Sequence, residues 1–438
     1  MKNDQMNLEN LWMPFSANRD FKSAPRLMNA AKGMYYQKPD GSPVLDGTAG
    51  LWCCNAGHGH EKIVMAIQEQ VAKMDFAPSF QMGHPLGFKA AQKLLELAPG
   101  DEFQYAFFTN SGSEAVDSAL KIALAYQQHR GETERTILVG RDRAYHGVGF
   151  GGITVGGMPL NKKHYTLLPG ADHMRHTHDL EHNAFSKGQP DWGKHLADDL
   201  ERIIGKHGGD KIAAVIIEPV AGSTGVLIPP KGYLKRIREI CTAHDTLLIF
   251  DEVITGFGRL GTPFAAQYFD VEPDMITCAK GLTSGTVPMG AVMVKKKMYD
   301  AFQQGDPKSI DLFHGYTYTA HPLAAAAAIA SIDVYREDGL IDRAAGMASY
   351  WEEALHSLRG VGSIIDIRTI GLMAGIEMES RKGKIGTRGY DVFTNAFHGH
   401  NLLIRITGDT LALSPPLIVE KEHIDRMMSI LREIIPNH

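Results

Sequence analysis

Leu247-Leu248-Ile249-Phe250-Asp251-Glu252 is an unbroken apolar run that ends abruptly in two acids. It is too short for a helix and has no polar alternation, the pattern of a strand covered on both faces. Similar runs recur along the chain at Ala106–Thr109, Ile137–Val139, Ala213–Ile217, Met275–Cys278 and Ala291–Val294. Between them lie stretches of helical periodicity, among them Ala115–Gln127, Leu196–Ile204 and Gly232–His244. Strands alternating with helices predict an α/β fold: a mostly parallel central sheet with helices on both faces, filling a large domain over residues 58–328.

Beyond Ile329 the rhythm changes. A helical pattern at Ile341–Leu358 leads to Ile364–Ile367, Leu372–Met378, a helix near Tyr390–His400, the run Leu402–Ile406 and a last helix near Lys421–Ile434. This predicts a smaller α+β domain over residues 329–438, joined by the N-terminal segment 1–57. Gly156–Lys194 fits neither pattern; its periodicity is weak and it carries five histidines between His164 and His182. Loops of that length are usually functional or buried in an interface.

At 438 residues the chain has room for two or three domains, and 44% hydrophobic with 22% charged residues is an ordinary globular balance. A net charge of −5 leaves no electrostatic footprint for nucleic acid, and no basic amphipathic stretch marks a membrane surface. Pro322–Ala330, the longest apolar stretch, falls far short of the roughly 20 residues a membrane span needs. Of four cysteines, Cys53 and Cys54 are adjacent and Cys241 and Cys278 stand alone, so neither a disulfide framework nor a C-x-x-C site is expected. Met1–Gln5 lacks the apolar core of a secretory signal, and a cytoplasmic protein is the expectation.

Ligands of open α/β sheets bind beyond the carboxyl ends of the strands, so the residues just past each strand matter most. Ala106–Thr109 leads to Asn110-Ser111-Gly112-Ser113-Glu114 opening a helix, and Ile137–Val139 to Tyr145-His146-Gly147. Ala213–Ile217 ends in Glu218-Pro219, Leu247–Phe250 in Asp251-Glu252, and Met275–Cys278 in Ala279-Lys280-Gly281. Ser111-Gly112-Ser113 can bind an anion with free N–H groups at a helix start, or Ser111 and Glu114 can form a capping box that needs no ligand. Asp251, at the end of an apolar strand, needs a cation, donor or ligand, a structural ion pair being the plainer alternative. Lys280 behind another apolar strand is desolvated, which favours the neutral, nucleophilic amine over an ordinary surface charge.

Together the lysine, the acid and the anion cradle meet the needs of pyridoxal 5'-phosphate: an amine for its carbonyl, a carboxylate opposite its pyridine nitrogen, and a phosphate site. Tyr145 and Val253 suit the two faces of such a ring. A rival motif, Gly256-Phe257-Gly258-Arg259-Leu260-Gly261, matches G-x-G-x-x-G of nicotinamide oxidoreductases. Pro263 comes directly after it and Met275–Cys278 ends near a lysine, so a glycine-rich turn is the expectation. His178 and His182, four apart, have no neighbouring cysteine or compact acid cluster to complete a metal set, and no metal is expected. His58-Gly59-His60-Glu61 reads as the start of a helix.

These strings resemble the class III pyridoxal-phosphate-dependent aminotransferases of fold type I, over nearly the whole chain from Trp12 to Arg432. The likeness lies in Leu45-Asp46-Gly47 with Gly50-Leu51-Trp52, Thr109–Ala115, Tyr145-His146-Gly147, Glu218-Pro219, Leu248–Val253 through Gly256–Arg259, Ala279-Lys280 and His314–Pro322. It implies Lys280 as the Schiff-base lysine and general base, and Asp251 as the pyridinium partner. Ser111, Gly112 and Ser113 become phosphate binders, Tyr145 with its neighbour His146 a ring contact, and Glu218 an orienting acid. Thr317 is implied to reach the phosphate of a neighbouring subunit, hence a homodimer with shared active sites, a tetramer being left open.

Within that family the chain is most similar to the ω-amino acid:pyruvate (β-alanine:pyruvate) transaminases. The similarity rests on Trp12–Arg19, Phe80–Pro85 and Arg405–Thr410. It implies an amino donor resembling β-alanine and pyruvate as acceptor, giving L-alanine and an aldehyde or keto product. Arg405 becomes the clamp for a substrate carboxylate, with Leu51, Trp52, Phe80 and Ala221 as pocket wall. A taurine or other amine:pyruvate transaminase, and a same-fold aminomutase or decarboxylating transaminase, share these core residues.

Overall fold

The computed structural model describes residues 7–438. Its central sheet has seven strands in the order Phe103–Thr109, Gly290–Lys295, Met275–Cys278, Leu247–Asp251, Ile212–Ile217, Ile137–Arg141, Ala171–Met174. Gly290–Lys295 is antiparallel to both neighbours and the other pairs are parallel, so six strands run one way and their carboxyl ends share an edge. All six residues of Ile212–Ile217 are buried, as are all five of Leu247–Asp251. Helices cover both faces, and each buried branched side chain contributes roughly 1.5–3 kcal/mol. The predicted α/β architecture is the observed one.

Two sheets of the smaller part meet beside this edge. Ile364–Ile370, Met373–Met378, Thr410–Leu413 and Arg405–Thr407 form an antiparallel sheet. Ala30–Lys32, Tyr35–Gln37 and Pro43–Asp46 form a meander that takes Leu402–Leu403 as a parallel fourth strand, with Leu45 opposite Leu402 and Asp46 opposite Leu403. The run Leu402–Ile406 is therefore two strands in two sheets rather than one, and Arg405 opens the second.

The stretch that fits no pattern, Gly156–Lys194, contains the edge strand Ala171–Met174 and the short helices Pro159–Lys162 and Leu180–Asn183. Asp172 and His173 are only half-buried at the sheet edge, so the strand lacks the apolar signature of the others. His178 and His182 are not brought together: His178 Nε2 meets Glu377 Oε2 at 3.0 Å, and His182 Nδ1 meets Asp179 Oδ1 at 2.9 Å. The donor atoms of His178, Asp366 and Glu377 lie within 4.8 Å of one another, and the Arg368 guanidinium donates to both carboxylates.

Pro322–Ala330 lies in the helix Pro322–Glu337, whose small side chains let it pass close to helices Glu61–Lys73 and Pro85–Leu95 and to the turn Lys280–Thr283. Among the described residues no helix is long and apolar enough to cross a membrane.

Candidate active site

Asp251 is the last residue of its strand and is buried. His146 Nδ1 donates to its Oδ2 at 2.8 Å, and the Val253 N–H donates to its Oδ1 at 3.2 Å. Both oxygens of the buried carboxylate thus have a hydrogen-bond donor. The second nitrogen of His146, Nε2, is buried without a partner.

Helix Gly112–His129 opens a few residues beyond strand Phe103–Thr109. Ser111 caps it: its Oγ accepts the Glu114 N–H at 3.1 Å, while Glu114 Oε2 accepts the Asn110 N–H at 2.7 Å. The Ser111 Oγ accepts the cap N–H and keeps its own proton, but Ser111 is not among the residues that line the cleft. Gly112 and Ser113 do line it. A Cβ on Gly112 would lie 2.8 Å from Val253 Cγ1, and one on Gly147 (φ +86) only 2.5 Å from Ser113 Oγ. Ser113 Oγ accepts the Val148 N–H at 3.1 Å, which leaves its own proton free for an anion.

Lys280 sits at φ +48 in the turn after Met275–Cys278, an uncommon conformation for a side-chain-bearing residue. Tyr335 Oη holds that turn by donating to the Gly281 carbonyl at 2.5 Å. Burial pushes the Lys280 ammonium down to about 8; nearby Arg405 adds to this, and Cys53, Asp251 and Glu218 oppose it. Glu218, just past Ile212–Ile217, is pushed up to about 7 by burial, with Asp251 acting in the same sense. Its Oε1 accepts the Tyr145 N–H at 2.8 Å. Arg405 opens the small-domain strand, and burial lowers its pKa against the pull of Tyr145 and Glu218. Its Nη1 is buried with no partner among the described residues.

These groups face one cleft of about 510 Å³, lined by Gly112, Ser113, Tyr145, His146, Glu218, Asp251, Val253 and Lys280, with Leu51, Trp52 and Arg405. Three sequence-predicted residues besides Ser111 lie elsewhere. Ala221 is buried in a bridge to Leu227, and the next turn presents Ser223 to the cleft instead. Phe80 is exposed, close against Gly315, and Thr317 is exposed in the neighbouring turn. Sequence reasoning also passed over Phe15, Met158, Asn161 and Ile254, which complete the wall. Phe15 belongs to Trp12–Arg19, a string singled out for its likeness to a family, so a signal for it existed.

A family profile described as Aminotransferase class-III matches residues 16–435. The chain belongs to that family. This aminotransferase is 57% identical over 430 residues to the omega-aminotransferase of Caulobacter vibrioides, with 98% of each chain covered. It is 43% identical to the beta-alanine–pyruvate aminotransferase of Pseudomonas aeruginosa, over 98% of this chain and 96% of that one. A crystal structure of an (S)-enantioselective omega-transaminase from Thermomicrobium roseum superposes with a TM-score of 0.90 at 30% identity, covering 98% of this chain and 96% of that one. The fold is accordingly that of the fold type I aminotransferases. Gly256–Gly261 serves this fold as turns: no helix opens there before Ala265–Phe269, and Arg259 is buried, donating to Asn55 Oδ1 at 2.8 Å and the Pro415 carbonyl at 2.5 Å.

Proposed function

We propose that this aminotransferase moves an amino group from an ω-amino acid or amine resembling β-alanine to pyruvate, giving L-alanine and an aldehyde or keto product. The observation that carries this reading is Arg405: a half-buried side chain whose Nη1 is buried without a partner among the described residues, in the same cleft as the depressed amine of Lys280. A cation left unpaired at that depth costs stability unless an anion arrives, and a planar fork suits a carboxylate. The names borne by the Caulobacter and Pseudomonas relatives support the same substrates.

The donor set fits pyridoxal 5'-phosphate. Lys280 Nζ would hold it covalently, Gly112 and Ser113 would bind its phosphate at a helix N-terminus, and Tyr145 and Val253 would flank its ring. When bound, the cofactor supplies the electron sink for exchanging the amino group. Asp251, oriented by His146, would keep a proton on the ring nitrogen. Lys280 Nζ would also serve as the base that takes the proton from the donor carbon bearing nitrogen; a pKa near 8 suits that work near neutrality. Glu218 ties the Tyr145 backbone to the site.

Further parts of the reading are a cytoplasmic enzyme, the three-part division at residues 57 and 328, and a homodimer in which Thr317 serves the other copy's site. Exposed Phe80, Met82, Phe88, Phe313 and Tyr318, apolar and in the same surface region as Thr317, support the dimer. A donor panel (β-alanine, taurine, longer ω-amino acids, simple amines) with pyruvate and 2-oxoglutarate as competing acceptors tests the reaction. L-alanine formed from pyruvate without carbon dioxide is expected. An isomerised donor, or carbon dioxide released in step with turnover, would replace this reading with the aminomutase or the decarboxylating enzyme.

A further inference from the structure

The wall of the cleft opposite the cofactor residues is built on an unusual turn. Ala49 (φ +48), Gly50 (φ +68) and Trp52 (φ +64) have positive φ, and Leu51 between them lies at φ −138, ψ +59. Two of these residues carry side chains that disfavour that region, so the conformation persists only if its surroundings impose it. The turn presents Leu51 and Trp52 to the cleft. Trp52 cannot hold itself in place by its own polar atom, because its Nε1 is buried without a partner.

What imposes the turn is the wholly buried carboxylate of Asp46. Its Oδ1 accepts the Thr48 N–H at 2.9 Å, and its Oδ2 accepts the Gly50 N–H at 2.6 Å. His58 Nε2 meets the same Oδ2 at 2.7 Å. His58 is itself fixed by its tilted contact with the Tyr36 ring, 4.2 Å between centroids, and by paired backbone bonds to Gly33. Asp46 also lies opposite Leu403, two residues before Arg405, and the Gly47 N–H donates to the Leu403 carbonyl at 3.0 Å. One short ladder therefore ties the strand that leads into the Trp52 turn to the segment that leads into Arg405.

We infer that Asp46, held by His58, is a positioning residue that fixes the Trp52 wall against Arg405 and thereby sets which donor sizes the aminotransferase accepts. The donor-size part rests on the proposed function; the brace does not. Its loss frees the turn, shifts Trp52, and relaxes discrimination between short and bulky donors while leaving the chemistry at Lys280 in place.

The test is a cycle of Asp46→Asn and Trp52→Phe in the cofactor-loaded enzyme, reading kcat and KM for β-alanine and for 1-phenylethylamine. Asp46→Asn should change the ratio of the two kcat/KM values about tenfold, mainly through KM, and should change it hardly at all in the Trp52→Phe background. The Trp52 emission, taken as the difference between proteins with and without Trp52→Phe, should move to the red in Asp46→Asn. His58→Ala should act in the same direction, and His58→Gln, whose amide can still donate to Asp46, should stay near the parent; this pair carries the cycle if Asp46→Asn does not fold. Equal losses for both donors, or an unchanged ratio with unchanged emission, overturn the inference. A parent that makes no L-alanine from any donor refutes the proposed function instead, and the emission measurement then decides the brace alone.

Discussion

His146 Nδ1 stands 2.8 Å from Asp251 Oδ2 in a buried pair whose outer nitrogen, His146 Nε2, has no partner among the described residues. Asp251 therefore depends on His146 for orientation, with the Val253 N–H as its other donor. Asp251→Asn keeps the shape and removes the charge proposed to hold a ring proton. Turnover should fall by about 10³-fold or more, with the thermal midpoint within a few degrees of the parent. His146→Ala leaves the charge but loosens it, and a loss nearer tenfold is expected. Single-turnover kinetics with β-alanine, alongside thermal melts, checks both; near-parent rates in Asp251→Asn would end its assigned role.

The Lys280 amine gives a sign that can be checked without catalysis. Its pKa is about 8 in the folded chain against 10.5 for the free side chain, so between those values the unfolded chain binds the extra proton. Stability of the protein without cofactor should accordingly rise as pH goes from about 8 toward 10, and Lys280→Met should lack that rise. Glu218 runs the other way. Its pKa is raised from 4.5 to about 7, so its contribution is lost as pH climbs through that window, and Glu218→Gln should flatten the fall. Denaturant midpoints across pH, each variant against the parent, measure both slopes. Lys280→Ala should in addition abolish turnover.

Asp251, Lys280 and Gly112 were legible in the sequence for one physical reason: each stands at or just beyond the carboxyl end of a buried strand, and burial makes such strands visible as apolar runs. Ser223, Met158 and Asn161 reach the same cleft from turns and a four-residue helix, where no periodicity announces which side faces inward. Strand Ala171–Met174 escaped notice because a half-buried edge tolerates Asp172 and His173. Ser111 was ambiguous between a cap and an anion ligand, since either role demands the same residue at a helix start. Its hydrogen bond with the Glu114 N–H shows the cap, and leaves the hydroxyl proton for an anion. The division of Leu402–Ile406 between two sheets depends on pairing with Asp46, some 350 residues earlier, which no local pattern encodes.

Arg405 should discriminate between donors by charge. If its Nη1 holds the substrate carboxylate as proposed, Arg405→Ala should raise KM for β-alanine and for pyruvate by about 10²-fold, the scale of a lost ion pair. Simple amines lack the group that Arg405 holds. Their single-turnover rates with the enzyme should change by less than about threefold, or improve as the buried cation is removed. Steady-state and single-turnover measurements on the two donor types separate these outcomes, and an equal loss on both would mean that Arg405 serves the fold rather than the substrate.

Thr317 poses the sharpest question about assembly, because it is exposed and stands outside the cleft of its own chain. If its hydroxyl serves a second copy's phosphate site, Thr317→Ala should weaken pyridoxal phosphate about tenfold, the cost of one charge-assisted hydrogen bond, without altering the melting of the cofactor-free protein. Mixed dimers sharpen the test. When a Lys280→Ala chain pairs with a Thr317→Ala chain, the surviving lysine belongs to the Thr317→Ala chain. In the shared arrangement, that site receives an intact Thr317 from its Lys280→Ala companion. Half the parent activity with parent cofactor affinity is then expected, whereas weakened affinity at the surviving site would assign Thr317 to its own chain. Sedimentation across protein concentration reads the dimer directly, and a monomer that binds cofactor at full strength would exclude the exchange altogether.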